Sequence, residues 1–303
     1  MKRLIDLKAY PVKDMLQYLL QDKTTKENII LATDTYSATD ADIFSTDQIT
    51  NEILERIDLQ PRAFKSAAEQ NERTRAKAEV FTPSWICNKM NNYCDSEWFG
   101  VEGVFNTETE HSWVVNDKLI QFPEGKTWQD YVESKRLEIT CGEAPYLASR
   151  YDTATGEIIP TSQRIGLLDR KIRVINENTE SEEEWIERVR KAYQSVYGYE
   201  FQGDNLLIAR INLLNTFVDY YVERWGKKPD KKDLKIITNI IVWNIWQMDG
   251  LSGAIPFREP YEETNQFSFF DMMADKEETN YNCRIYNWKA NKSIEFNSMR
   301  EGK

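Results

Sequence analysis

Three short apolar runs, at 136–142, 196–201 and 240–248, lie far apart in the chain, and each leads into a glycine or an acid. Between them apolar residues recur at helical spacing behind helix-start signals. Ser181-Glu182-Glu183-Glu184 fits a capping box ahead of Trp185, Ile186, Val189, Ala192 and Tyr193. Asp204 or Asn205 is placed to cap a helix from 206 to 221, and Pro229-Asp230 opens another. Strands alternating with capped helices predict an α/β fold with a mainly parallel sheet, whose ligands bind beyond the carboxyl ends of the strands.

Upstream the pattern is mixed. It predicts a short helix around Leu16, Tyr18, Leu19 and Leu20, a strand over 29–33, and a helix from 48 to 54 capped by Asp47. The polar run 65–77 reads as an exposed helix or linker. Pro83 opens a helix that carries Trp85, Ile86, Lys89, Met90 and Tyr93 on one face. Residues 100–130 are loop-rich, and 145–151 form the helix that follows the first glycine turn. No internal repeat stands out.

Composition narrows the chemistry. The net charge of −11 argues against a chain that grips duplex DNA unaided, because phosphate binding calls for a basic face. The one histidine, His111, excludes histidine triads and two-histidine metal sites by count and reads as a surface residue. The four cysteines, Cys87, Cys94, Cys141 and Cys283, lack C-x-x-C spacing, so reduced thiols are expected rather than zinc ligands. No stretch approaches the roughly 18 apolar residues of a membrane span, and Asp6 interrupts any signal-peptide core. The expectation is a soluble, cytoplasmic protein.

Three polar groups fall at the predicted strand ends. Glu138-Ile139-Thr140-Cys141-Gly142-Glu143-Ala144-Pro145-Tyr146 places small residues where backbone can approach a ligand. Glu200 supplies a carboxylate suited to a ribose diol, and Asp249-Gly250 supplies one suited to an adenine amine. In this order they predict a site for a nucleoside-type cofactor.

The ordered set E-V-F-T-P (79–83), L-E-I-T-C-G-E-A-P-Y (137–146), Y-G-Y-E-F (197–201) and Q-M-D-G-L (247–251) resembles adenine-N6 DNA methyltransferases of restriction-modification systems, type II and IIG above all. The resemblance implies a Rossmann-like sheet that binds S-adenosyl-L-methionine, over residues 76–303, behind a mostly helical extension at 1–75. It implies cofactor contacts from Phe81, Thr82 and Pro83, and from Glu138, Thr140, Cys141, Gly142, Ala144 and Tyr146 in the glycine loop. It assigns the ribose to Glu200 with Phe201, and the adenine to Asp249 with Gly250. Glu143 departs from the family pattern by adding a charge, and Pro145 stiffens the turn.

The family's catalytic N-P-P-Y tetrad, whose Asn and aromatic ring hold a flipped adenine, has no counterpart here, and Glu259-Pro260-Tyr261 is a poor substitute. Tyr286-Asn287-Trp288-Lys289 and Ile294-Glu295-Phe296 resemble the stretch that precedes the catalytic strand in the family. These features imply the cofactor-side subunit of a split methyltransferase. A second subunit would carry N-P-P-Y and make most of the contacts to duplex DNA. Two other readings stand beside it. Glu133-Ser134-Lys135 with Asp117 has the spacing of a Mg2+-dependent restriction nuclease. Loss of the tetrad also suits a non-catalytic scaffold or regulatory subunit of a defence complex. Phe267, Phe269 and Phe270 form a candidate partner surface.

Overall fold

The computed structural model describes residues 4–37, 40–65, 67–77, 82–258 and 281–300. Glu79, Val80 and Phe81 of the E-V-F-T-P segment, Glu259-Pro260-Tyr261, and the phenylalanines 267, 269 and 270 lie outside them. The helices are α1 (Val12–Leu19), α2 (Asn51–Arg56), α3 (Ala67–Lys77), α4 (Ser84–Phe99), α5 (Trp128–Glu133), α6 (Leu167–Asn178), α7 (Glu182–Ser195), α8 (Gly203–Trp225), α9 (Lys231–Asn244) and α10 (Asn297–Arg300). The strands are β1 (Asn106–Thr109), β2 (Ser112–Val115), β3 (Arg136–Glu138), β4 (Val196–Glu200), β5 (Ile245–Gln247), β6 (Arg284–Asn287) and β7 (Lys292–Glu295).

β3, β4 and β5 form one parallel sheet in that order, with Leu137 opposite Tyr197 and Tyr199 opposite Trp246. The α6–α7 and α8–α9 pairs make the two crossovers that parallel neighbours require. α8 is buried along most of its length. It packs against α9 and α1, with Leu206, Leu207, Ile211, Leu214 and Phe217 in the main core. Met15, Leu19, Ile29, Leu31 and Ile49 belong to that same core. β1–β2 and β6–β7 are antiparallel hairpins. The first occupies the stretch read as loop, with His111 exposed at its turn.

The two edges of the parallel sheet differ. On β5, Arg210 Nε donates to the Ile245 carbonyl at 2.8 Å and the Cys283 thiol donates to that of Gln247 at 3.3 Å. The Gln247 side chain takes the amide of Ile30 at 2.9 Å and gives to its carbonyl at 2.8 Å. Among the described residues no strand pairs with the outer edge of β3, where Leu137 and neighbouring Ile139 are exposed.

Several local expectations are corrected. Residues 29–33 are not a strand. Ile30 makes only an isolated bridge to Gln48, and Ala32 adopts a left-handed conformation (φ 50°) that ends the extended backbone. Residues 145–151 form one turn rather than a helix, because Glu138 holds the amides of Tyr146 and Leu147. α2 is capped by Thr50, whose hydroxyl accepts from the Ile53 amide, while the Asp47 carboxylate accepts from Phe44. Asp204 and Asn205 lie inside α8, and Gln202 precedes it.

The buried face of α4 is polar rather than apolar. Arg170 reaches across to Asp95 at 2.6 Å and to Asn88 and Asn92 at 2.8 Å each. Asn91 donates to the carbonyls of Tyr146 and Ile165. Met90 and Tyr93 are thereby turned outward. A buried arginine needs its donors met, and carboxylate and amide side chains supply the acceptors.

Candidate functional site

The loop after β3 is built on three left-handed residues, Thr140 (φ 45°), Gly142 (φ 53°) and Ala144 (φ 62°). Two of them carry a Cβ, a conformation that costs about 1–2 kcal/mol each unless the surroundings hold it. Two acids do so. Glu200 at the end of β4 accepts the Gly142 amide at 2.8 Å and the Gln202 amide at 3.1 Å. Glu138 at the end of β3 accepts Tyr146 N at 3.3 Å and Leu147 N at 3.1 Å. Cys141 N donates to Tyr199 O and lengthens the β3–β4 pairing by one bond. Gly198 opposite has no room for a side chain that leaves Cys141 Sγ undisturbed, since a Cβ there would lie 3.2 Å from it.

Glu143, the residue at odds with the family pattern, is buried and does not line the cleft described below. Its carboxylate accepts Arg62 N at 2.7 Å and the Tyr151 hydroxyl at 2.6 Å. Asn212 on α8 donates to its carbonyl at 3.0 Å. The extra charge ties the glycine turn to the N-terminal segment, while the Glu143 carbonyl ties it to α8.

A cleft of about 720 Å³ opens over this loop. Thr82, Glu138, Thr140, Cys141, Gly142, Tyr146, Glu200 and Phe201 line it, residues drawn from three motifs far apart in the sequence. Pro83 precedes α4 without lining the cleft, and Ala144 is wholly buried beneath the loop. Asp249 and Gly250 are not brought to the cleft. Asp249 closes its own turn, accepting Leu251 N at 2.8 Å, and Gly250 packs against the Tyr199 ring. Leu137, Ile139 and Pro145 also line the cleft, and Met90, Asn91 and Cys94 on α4, together with Leu167, Gln202 and Asn205, complete the wall and were not legible as site residues. The available signal was the N-K-M-N-N run of α4: an amide-rich inner face leaves Met90 pointing the other way.

Burial is the main force on Glu138. It pushes Glu138 up to about 8 against the pull of its two backbone amides, and neighbouring Glu200 adds to the rise. The Cys87 and Cys141 thiols are raised by burial and by Glu138, so neither is an activated nucleophile. No lysine, arginine or histidine is among the described residues lining the cleft. Beyond its rim, Asp204 is enclosed by Arg73 at 2.8 Å, Lys65 at 3.3 Å and the Tyr36 hydroxyl at 2.9 Å. Among the described residues no group of three or more His, Cys, Asp or Glu side chains is arranged to hold a metal ion. Glu133 lies at the end of α5 and faces Arg188 at 4.0 Å. No described helix is long and apolar enough to cross a membrane.

Comparison with protein-family models, with curated proteins and with solved structures returns no match for the chain.

Proposed function

We propose that this chain is the cofactor-binding subunit of a split adenine-N6 DNA methyltransferase with a Rossmann-like core, acting in a restriction-modification system. The observation that carries the reading is convergence. Thr82, the Glu138–Tyr146 loop and Glu200 with Phe201, more than 50 residues apart in sequence, line one cleft at the carboxyl ends of two adjacent parallel strands. Its volume of about 720 Å³ lies within the range of about 300–1,000 Å³ typical of small-ligand sites. S-adenosyl-L-methionine supplies an electrophilic methyl group when bound. Glu200 would hold the ribose end, while Met90, Tyr146, Leu167 and Phe201 exclude water around it. On this reading the adenine contact does not come from Asp249 as it stands.

These 303 residues contain no Asn-Pro-Pro or Asp-Pro-Pro sequence. We assign the N-P-P-Y strand and most of the DNA contacts to a second polypeptide, and the acidic balance of these residues agrees with that division. The test combines equilibrium dialysis with labelled S-adenosyl-L-methionine and methyl transfer to adenine-containing duplex DNA. Binding by this chain, about tenfold weaker in Glu200→Gln, is expected, since a hydrogen bond to a charged group contributes about 1.5–3 kcal/mol. Transfer should need the partner. Transfer by this chain alone, or no binding at all, would overturn the reading.

A further inference from the structure

We propose a second binding site, for a single-stranded polynucleotide, on the half-buried rings of Trp243, Tyr286 and Trp288 and the lysines around them. Trp243 lies in the last turn of α9, just before β5, so the patch sits at the amino ends of the parallel strands. The cleft lies at their carboxyl ends, and the inference does not rest on what the cleft binds.

The rings stand where apolar packing alone would not leave them. Trp246 on β5 is buried in a satellite core beside Tyr199 and Phe296. Among the described residues Trp243 and Tyr286 belong to neither hydrophobic core, yet their ring centroids lie 5.1 Å apart. Trp288 follows, 4.5 Å from Tyr286. Hydrogen bonds fix the array. Trp288 Nε1 donates to Asn244 Oδ1 at 2.8 Å, and the Tyr286 hydroxyl donates to Asn291 Oδ1 at 2.8 Å. Rings ordered in advance lose little further freedom when a flat partner stacks on them.

Positive charge surrounds the rings, although the chain as a whole is acidic. The Lys23 ammonium stands 5.8 Å from the Trp243 ring centroid and donates to Gln21 Oε1 at 3.2 Å. The Thr24 hydroxyl accepts Arg284 N at 3.0 Å, which holds that loop against β6. Burial and the Arg210 guanidinium lower the Lys23 ammonium from its ordinary range, and an anion beside it would raise it again. On α9, Lys232, Lys235, Asn239 and Trp243 recur at helical spacing and form one outward stripe about 16 Å long. Lys289 and Lys292 are exposed at the turn of the β6–β7 hairpin, next to Trp288. Among the described residues no carboxylate forms an ion pair with any of these five lysines. Flat rings take base faces, and ammonium groups take phosphates. A duplex hides its base faces inside its own stack, so the patch fits a single strand. An acidic peptide would meet the lysines and leave the rings without a partner.

The test is fluorescence anisotropy of the full chain with labelled twelve-nucleotide oligo-dT and oligo-U, a dT·dA duplex of the same length, and a polyglutamate peptide. The single strands are expected to bind more tightly than the duplex and the peptide. Their affinity should fall about 20-fold between about 50 and 200 mM salt, as when about three phosphates are neutralised. Trp243→Ala should weaken binding about tenfold, the loss of one stacked base. Lys235→Glu with Lys289→Glu, both at exposed positions, should weaken it at least as much, and this pair decides alone if the tryptophan variant fails to fold. A preference for oligo-dT or for oligo-U supports the site and names its strand. No binding, a duplex or peptide bound as tightly as the single strands, or an affinity unmoved by folded Trp243→Ala or by the lysine pair would overturn the proposal.

Discussion

Asp204 is wholly buried and yet held well below the usual carboxylate range, because Lys65 and Arg73, together with hydrogen bonds from Arg73 and Tyr36, outweigh its desolvation. The partners come from segments more than 130 residues away. A depressed pKa means stability that is present above the unfolded value of about 3.9 and lost as pH falls toward the folded one. Asp204→Asn should cost about 3–5 kcal/mol at pH 7, because Lys65 and Arg73 lose the buried carboxylate they share. Urea denaturation should show the deficit shrinking by about 1 kcal/mol between pH 7 and pH 3. A deficit independent of pH would show that packing, not charge, sets it. None of this was legible in the sequence, where Arg73 stands in a polar run with no apolar period. A buried charge is signalled only by its partner, and that partner was read as a helix cap. Glu138 and Glu200 were legible because strand ends are marked locally by a β-rich run and a turn.

At the scale of elements, two tight loops share one plan that a search for long repeats passes over. D-K-T-T-K-E at 22–27 and D-T-A-T-G-E at 152–157 both place an Asp whose carboxylate accepts the amides two and three residues on. In both, the threonine hydroxyl accepts the amide of the final glutamate. The fifth position is left-handed in each: Lys26 at φ 66° and Gly156 at φ 77°. Lys26 pays for its Cβ there, so Lys26→Gly should stabilise the protein by about 0.5–1 kcal/mol, less than the full strain because glycine loosens the unfolded chain. Chemical denaturation measures it, and a destabilised variant would mean that the Lys26 side chain contributes more than the strain removes. The α4 helix teaches the opposite lesson. Its start was readable from Pro83, but which face it buries was decided by Arg170, a residue some 80 positions away.

For the molecule as a whole, the described residues before 60 contribute to the main core. Met15, Leu19, Ile29, Leu31 and Ile49 share it with α8 and α9. Gly203 approaches Ile30 so closely that a Cβ would fall 1.9 Å from its carbonyl oxygen. Deleting residues 1–65 would strip apolar contacts from α8 and leave two donors of buried Arg210 without the Leu19 and Gln21 carbonyls. The shortened chain should lose cooperative thermal unfolding, read by near-ultraviolet circular dichroism, and a sharp transition in it would show that the segment is dispensable. The extension carries no motif of its own, which is why its part in the core could not be read from sequence: its apolar residues find their partners only across the fold.

The difference between the two sheet edges bears on how copies of this chain can stack. Arg210, Cys283 and the Gln247 amide turn the β5 side into a terminus that offers no ladder to a newcomer. Among the described residues, the β3 side is the one edge along which this sheet can lengthen. Two copies that met there would join edge to edge and present only sealed ends, so addition halts at a pair, whereas a sheet open on both sides would continue into a fibre.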